Sequence, residues 1–185
     1  MRRISIVVSA GLIAFVVAAC STITPSSNEG PDMTSNDSWR QLDHPETAEA
    51  LLARLKGTVE EIGRIVAKHA PEMTAFRWST TEGRRGGLAG CGDLLKDKQF
   101  NGAFPSTGSY YSDSPIPDLA WPAALAEVTD LLAREYSAVP DFAPQNSPGN
   151  YDVRFASPDG FTFAFGSKVA TSVDGAGPCR RKAGI

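Results

Sequence analysis

Few side chains in this sequence are arranged to do chemistry. His44 and His69, the only histidines, are separated by a whole predicted helix, and no carboxylate stands at metal-ligand spacing from either. No metal or other cofactor is expected. Serines are frequent, yet no G-x-S-x-G turn presents one to a base. The stretch GCGDLL (90–95) lacks the third glycine of a dinucleotide loop, and no GxxxxGK[ST] occurs. The glycines of GRRGGLAGCGD (83–93) are read as tight turns around Cys91. Glu60, Glu61 and Glu135 fall on the charged outer faces of predicted helices, where carboxylates are solvated. No catalytic residue is assigned.

Two constellations have the chemistry to hold a ligand. The first is an aromatic loop, Tyr110, Tyr111, Pro115, Pro117 and Trp121. Its rings offer apolar faces with polar tips to sugars, lipids or a protein partner. The alternative is that they pack over a sheet edge. The second is Arg77 with Arg154, which would share the outer face of a sheet and grip a carboxylate or phosphate. The alternative there is pairing with nearby acids such as Asp152, or solvation. Arg84, Arg85 and the run Arg180-Arg181-Lys182 add local basicity. A disulfide would bring those two runs together, where they could meet anionic lipid headgroups.

The three cysteines carry the most specific signals. Arg2 and Arg3 precede an apolar run, Ile4 to Ala19, that is short for a membrane span and stops at Cys20. Val17-Ala18-Ala19-Cys20 resembles the lipobox of bacterial lipoproteins. The resemblance implies cleavage before Cys20, a diacylglycerol on its thiol, and residence on the extracytoplasmic face of the cell membrane. Two or more acyl chains anchor stably where one does not. Residues 1–19 are thus a signal peptide, and the membrane is a partner through Cys20. Outside the cytoplasm the remaining pair, Cys91 and Cys179, is expected to form a disulfide. Closing a loop of 88 positions would contribute roughly 4–5 kcal/mol as an upper figure. The alternative is two free buried thiols.

The elements that must position these residues follow from periodicity. Residues 20–42 are the lipidated cysteine and a polar linker, reaching roughly 25 Å as a coil. A single domain is expected over 43–185. Its first helix is capped by Asp43 with Glu46 and buries Leu52, Leu55, Val59, Ile62 and Val66 before Pro71 stops it. A strand is read over Met73–Gly83. Residues 94–118 are ambiguous, with a strand somewhere in Phe100–Tyr111. A second helix starts near Asp118 and ends at Pro140, with Trp121, Leu125, Val128, Leu132 and Tyr136 on one stripe. A loop runs to Asn150. Tyr151, Val153 and Phe155, then Phe161, Phe163 and Phe165, alternate around Pro158-Asp159-Gly160 as a hairpin. FRWSTTEG (76–83) and VRFASPDG (153–160) share a pattern that points to a duplicated αββ unit. The expected class is α+β: a two-layer sandwich, antiparallel sheet below two amphipathic helices on one face.

The lipobox, MTAFRWSTTEGRRGGLAGCGDLL and SYYSDSPIPDLAWPAAL together resemble the LppA-like lipoproteins of mycobacteria. The resemblance implies an acylated envelope protein with an α+β domain. It carries no catalytic residues. The 18 basic and 21 acidic side chains give a net charge of −3, more negative once Arg2 and Arg3 are removed, so no nucleic-acid partner is expected. The leading reading is a non-catalytic, membrane-anchored envelope lipoprotein that binds a ligand or protein partner. The alternatives are an envelope enzyme, hydrolase-like, whose site assembles only on folding, and a surface-exposed structural or host-facing lipoprotein. Titration of the unreduced mature chain with a thiol reagent should find no free thiol; a count near two would contradict the disulfide.

Overall fold

The computed structural model describes residues 44–91 and 101–184. Cys20, the signal peptide, the linker and the Asp43 cap lie outside them. Two helices, α1 (Ala48–His69) and α2 (Trp121–Tyr136), accompany nine strands among the described residues. These are β1 (Arg77–Trp78), β2 (Gly87–Gly90), β3 (Gly102–Ser106), β4 (Tyr110–Ser112), β5 (Val139–Ser147), β6 (Asn150–Ala156), β7 (Thr162–Ser167), β8 (Thr171–Ala176) and β9 (Arg180–Arg181).

All pairings are antiparallel, in the order β1-β4-β8-β7-β6-β5, with β3 pairing β2, β8 and β9. β3 and β4 meet β8 and β9 in nearly one register, Ala103 opposite Arg180 and Tyr110 opposite Val173. They are therefore two halves of one long strand, broken at 107–109. β1 and β2 are likewise two halves of the edge beside it. The break is held by Thr107, whose nitrogen donates to the Gly175 carbonyl while its hydroxyl accepts from the Gly175 nitrogen.

One face of this sheet is apolar. Val153, Phe155, Phe163, Phe165 and Val173 alternate inward and are buried with the stripes of both helices. The fold is thus the expected α+β sandwich with its helices on one face. α1 buries Leu51, Leu55, Val59, Ile62 and Val66. Leu51, one four-residue step before Leu55, takes the place foreseen for Leu52. The described N-cap is Thr47, whose side chain accepts from the Ala50 nitrogen. Glu46 pairs instead with Arg54, oxygen to nitrogen 2.8 Å at both contacts. α2 begins at Trp121 with Pro122 in its first turn. Asp118 stays in the preceding loop and accepts from the Gly149 nitrogen and the Tyr151 hydroxyl.

Three differences from the periodicity reading have physical causes. The strand read over 73–83 is reduced to Arg77–Trp78, because the chain after Ser79 leaves the ladder as a loop. The segment read as a loop before Asn150 is largely β5. Its prolines are tolerated because β5 is an edge strand with register shifts at Pro140/Phe142 and Phe142/Gln145. The tail forms β8 and β9, whose alternation is masked by small residues. Gly175 points inward under the Phe163 ring, where a β-carbon would come within 2.8 Å.

Cys91 and Cys179 form a disulfide, with Cα atoms 6.3 Å apart. Cys91 closes β2 and Cys179 precedes β9, and these strands flank β3 on its two sides. The disulfide therefore staples across β3, with Phe104 packed on it. Denaturant unfolding should show Phe165→Ala destabilised by about 3–5 kcal/mol, since a fully buried ring is lost. Leu119→Ala, 97% exposed, should leave the midpoint in place.

Candidate functional site

The structure disperses the aromatic loop. Trp121 is 4% exposed and stacks between Tyr151 and Phe165 at centroid distances of 4.4 and 4.8 Å. It belongs to the core. Tyr110 points to the helix side, against Phe76, Trp78 and Gly63. Tyr111, its neighbour on the strand, points to the opposite face. There the Arg77 guanidinium lies 4.6 Å from its ring centre and Arg77 Nε donates to its hydroxyl at 3.1 Å. Arg77 also pairs with Asp113.

Arg77 and Arg154 do share the outer face, but not a binding site. The row Arg77–Tyr111–Ser172–Gly166–Asp152 crosses four strand spacings, about 19 Å, before reaching the strand of Arg154. No small anion touches both. The two basic runs are also apart. Arg84 lies at the 107–109 break, where its carbonyl accepts from the Ser109 nitrogen, whereas Arg181 pairs with Gly102 at the far end of β3. The disulfide sits at that far end, so it does not bring them together.

The outer face carries a different site. A cleft of about 480 Å³ lies beside Tyr111 and is lined by Ser79, Thr81, Arg84, Ser109 and Ser172. The strand break supplies its geometry. Loop 80–86 leaves the edge between β1 and β2 and is clamped at the base. Gly86 and Gly108 adopt left-handed φ of 69° and 73°, and a β-carbon on either would collide with the other's backbone. The Ser79 nitrogen donates to the Ser109 carbonyl and the Arg84 nitrogen to the Thr81 carbonyl, both near 3 Å. The sequence singled out Arg84 only as local basicity and Tyr111 only as part of an aromatic loop, and the serines and threonine were missed because such residues are everywhere in it. Only the cross-strand register gathers these few. The Arg84-Arg85 pair and the glycines of the loop were the available signals.

A second cleft, about 490 Å³, lies at the other end of the domain between His44, Arg54, Tyr136, Phe161 and Arg180. Two arginines, Arg54 and Arg180, approach it. Arg54 lies over the rings of Tyr136 and Phe161 and is held by Glu46, which raises its pKa. Burial lowers the Arg180 pKa, while Glu46 and Asp159 pull it back up. Among the described residues no group of His, Cys, Asp and Glu is placed to hold a metal.

The LppA profile, described as a lipoprotein confined to pathogenic Mycobacterium, matches residues 26–183. The chain belongs to the LppA family. The crystal structure of LppA from Mycobacterium tuberculosis superposes with a TM-score of 0.60 at 17% identity, covering 74% of this chain and 79% of that one. At that identity the likeness is one of fold. No curated protein matches the chain.

This LppA domain carries one costly carboxylate on its outer face. Asp174 is half-buried on β8, and desolvation raises its pKa despite the attraction of Arg154; Asp152 adds to the rise. With the folded value above the unfolded one, the folded state holds the proton more tightly. Stability is therefore lost as pH rises through that window and regained as pH falls. Asp174→Asn should raise the thermal midpoint at neutral pH, and the gain should vanish near the ordinary aspartate value. An unchanged or lowered neutral-pH midpoint would contradict this.

Proposed function

We propose that the mature chain is an acyl-anchored lipoprotein of the cell envelope, held on the extracytoplasmic face of the membrane through Cys20, that binds a ligand without transforming it. The lipobox-like segment and membership of the LppA family support the anchor. The disulfide fits an oxidising compartment. Among the described residues no helix is long and apolar enough to cross a membrane.

The observation that carries the binding role is the one-sided sheet. Both helices lie on the inner face, and the outer face presents the hydroxyl-lined cleft beside Tyr111. Binding sites need rigid walls with a few placed polar groups, and a clamped loop on a sheet supplies them.

Expression in a mycobacterial host tests both halves. The chain should fractionate with membranes and carry a diacylglycerol mass, and Cys20→Ala should lose the mass and appear in the soluble fraction. A Cys20→Ala chain that remains on membranes would contradict the anchor. Native mass spectrometry of the gently released chain should show a retained small ligand; an empty chain from every envelope preparation would contradict the binding role.

A further inference from the structure

We propose that the outer-face cleft recognises a phosphate ester carried on a hydroxylated group, such as a sugar phosphate or the headgroup of a phosphosugar lipid. This rests on the reading of the outer face as the binding face and adds the ligand class.

The polarity of the lining points to an anion. Among the described residues its ionisable members are Arg84 and Tyr111, and no described carboxylate lines it. Arg77, just outside, is matched by Asp113. The Arg84 guanidinium makes no hydrogen bond or ion pair to any described residue. The same holds for the hydroxyls of Thr81, Ser109 and Ser172. The Tyr111 oxygen accepts from Arg77 Nε, which leaves its own proton to be given outward. One forked cation and several hydroxyl donors therefore face a common space with no side-chain partner among the described residues. A phosphate group offers several acceptor oxygens and a charge that the fork of a guanidinium matches. A neutral sugar would bring mainly hydroxyls and leave the cation unmatched. A carboxylate would use two of the donors.

Size points to more than bare phosphate. About 480 Å³ is in the range of clefts that take whole small molecules. Hydroxyl side chains both donate and accept, so those not used by the phosphate suit the hydroxyls of an attached polyol. The Tyr111 ring adds an apolar surface beside it. The site is also set before binding. Arg84 is bonded through its backbone at both its nitrogen and its carbonyl, and the Gly86–Gly108 contact fixes the base of its loop. The loop therefore loses little freedom when a ligand arrives.

Calorimetric titration of the full mature chain in neutral detergent tests this with three probes: glucose 1-phosphate, inorganic phosphate and glucose. Saturable binding is expected for glucose 1-phosphate, weaker binding for phosphate, and none for glucose. The affinity should fall with added salt. Arg84→Ala should weaken it at least about tenfold, as expected for losing a charged hydrogen-bonding partner. Ser172→Ala should weaken it a few-fold. Both side chains lie on the surface of the cleft, and an unchanged thermal midpoint shows that each variant is folded. Vesicles of phosphatidylinositol in phosphatidylcholine, against phosphatidylcholine alone, separate a lipid headgroup from a soluble ester as the source. Arg84-dependent binding of the vesicles assigns the former, and binding of the soluble probe without the vesicles the latter. Equal binding of glucose and glucose 1-phosphate, or an Arg84→Ala chain that binds as tightly as the parent, would overturn the proposal. So would failure of every phosphate probe. If native mass spectrometry then still shows a different retained ligand, the broader binding role stands without this ligand class.

Discussion

The burial of α1 against the inner sheet face is the interaction on which the rest depends. Leu55, Val59, Ile62 and Val66 are fully buried in one core with Phe155, Phe163 and Phe165. Each such side chain contributes about 1.5–3 kcal/mol by leaving water. Lys68 and His69, at the end of α1, then meet Glu127 of α2, tying the second helix beside the first. The hydroxyls of Thr58 and Tyr136 meet at 2.7 Å farther along the pair. Two helices of 22 and 16 residues are enough to cover one face of this sheet and not both. Among the described residues no helix covers the outer face, and it is there that Ala164, Gly166 and Ser172 stand in place of large side chains.

A sheet covered on one side needs its irregular regions fixed by other means. At one end the disulfide crosses β3 and holds β2 to the segment entering β9. In the middle, Thr107 replaces the missing ladder bonds with its own hydroxyl, and two left-handed glycines let backbone lie on backbone. At the other end, Ser114, Ser167 and Thr171 join the loop before α2 to the β7–β8 turn through hydroxyl hydrogen bonds. These polar devices do what a second layer of helices does in other sheets. They also leave hydroxyls and a guanidinium at the surface in fixed positions, which is the property a binding face requires.

The two helices and the β6–β7 hairpin were legible in the sequence because each has a clean period set by burial on one side. The pairing of the cysteines was legible by elimination. β5 was not, since its prolines speak against a strand unless its edge position is known. β8 and β9 were not, since Thr171, Val173 and Gly175 make an inward face too small to stand out. The outer cleft was least legible. Ser79, Arg84, Ser109 and Ser172 come from three separate stretches, and only the break in the long β3–β4 strand brings them together. The aromatic residues that looked most suited to a ligand were divided by strand alternation, Tyr110 inward and Tyr111 outward, while Trp121 was taken by the core.

Hydrogen exchange of the full chain, with and without glucose 1-phosphate, tests most directly whether this molecule uses its open face while its helical face only supports it. The account predicts added protection in loop 80–86, around 109–111 and at 170–172, with α1 and α2 exchanging as before. Protection confined to the helices, or to the cleft between His44, Arg54 and Arg180, would contradict it.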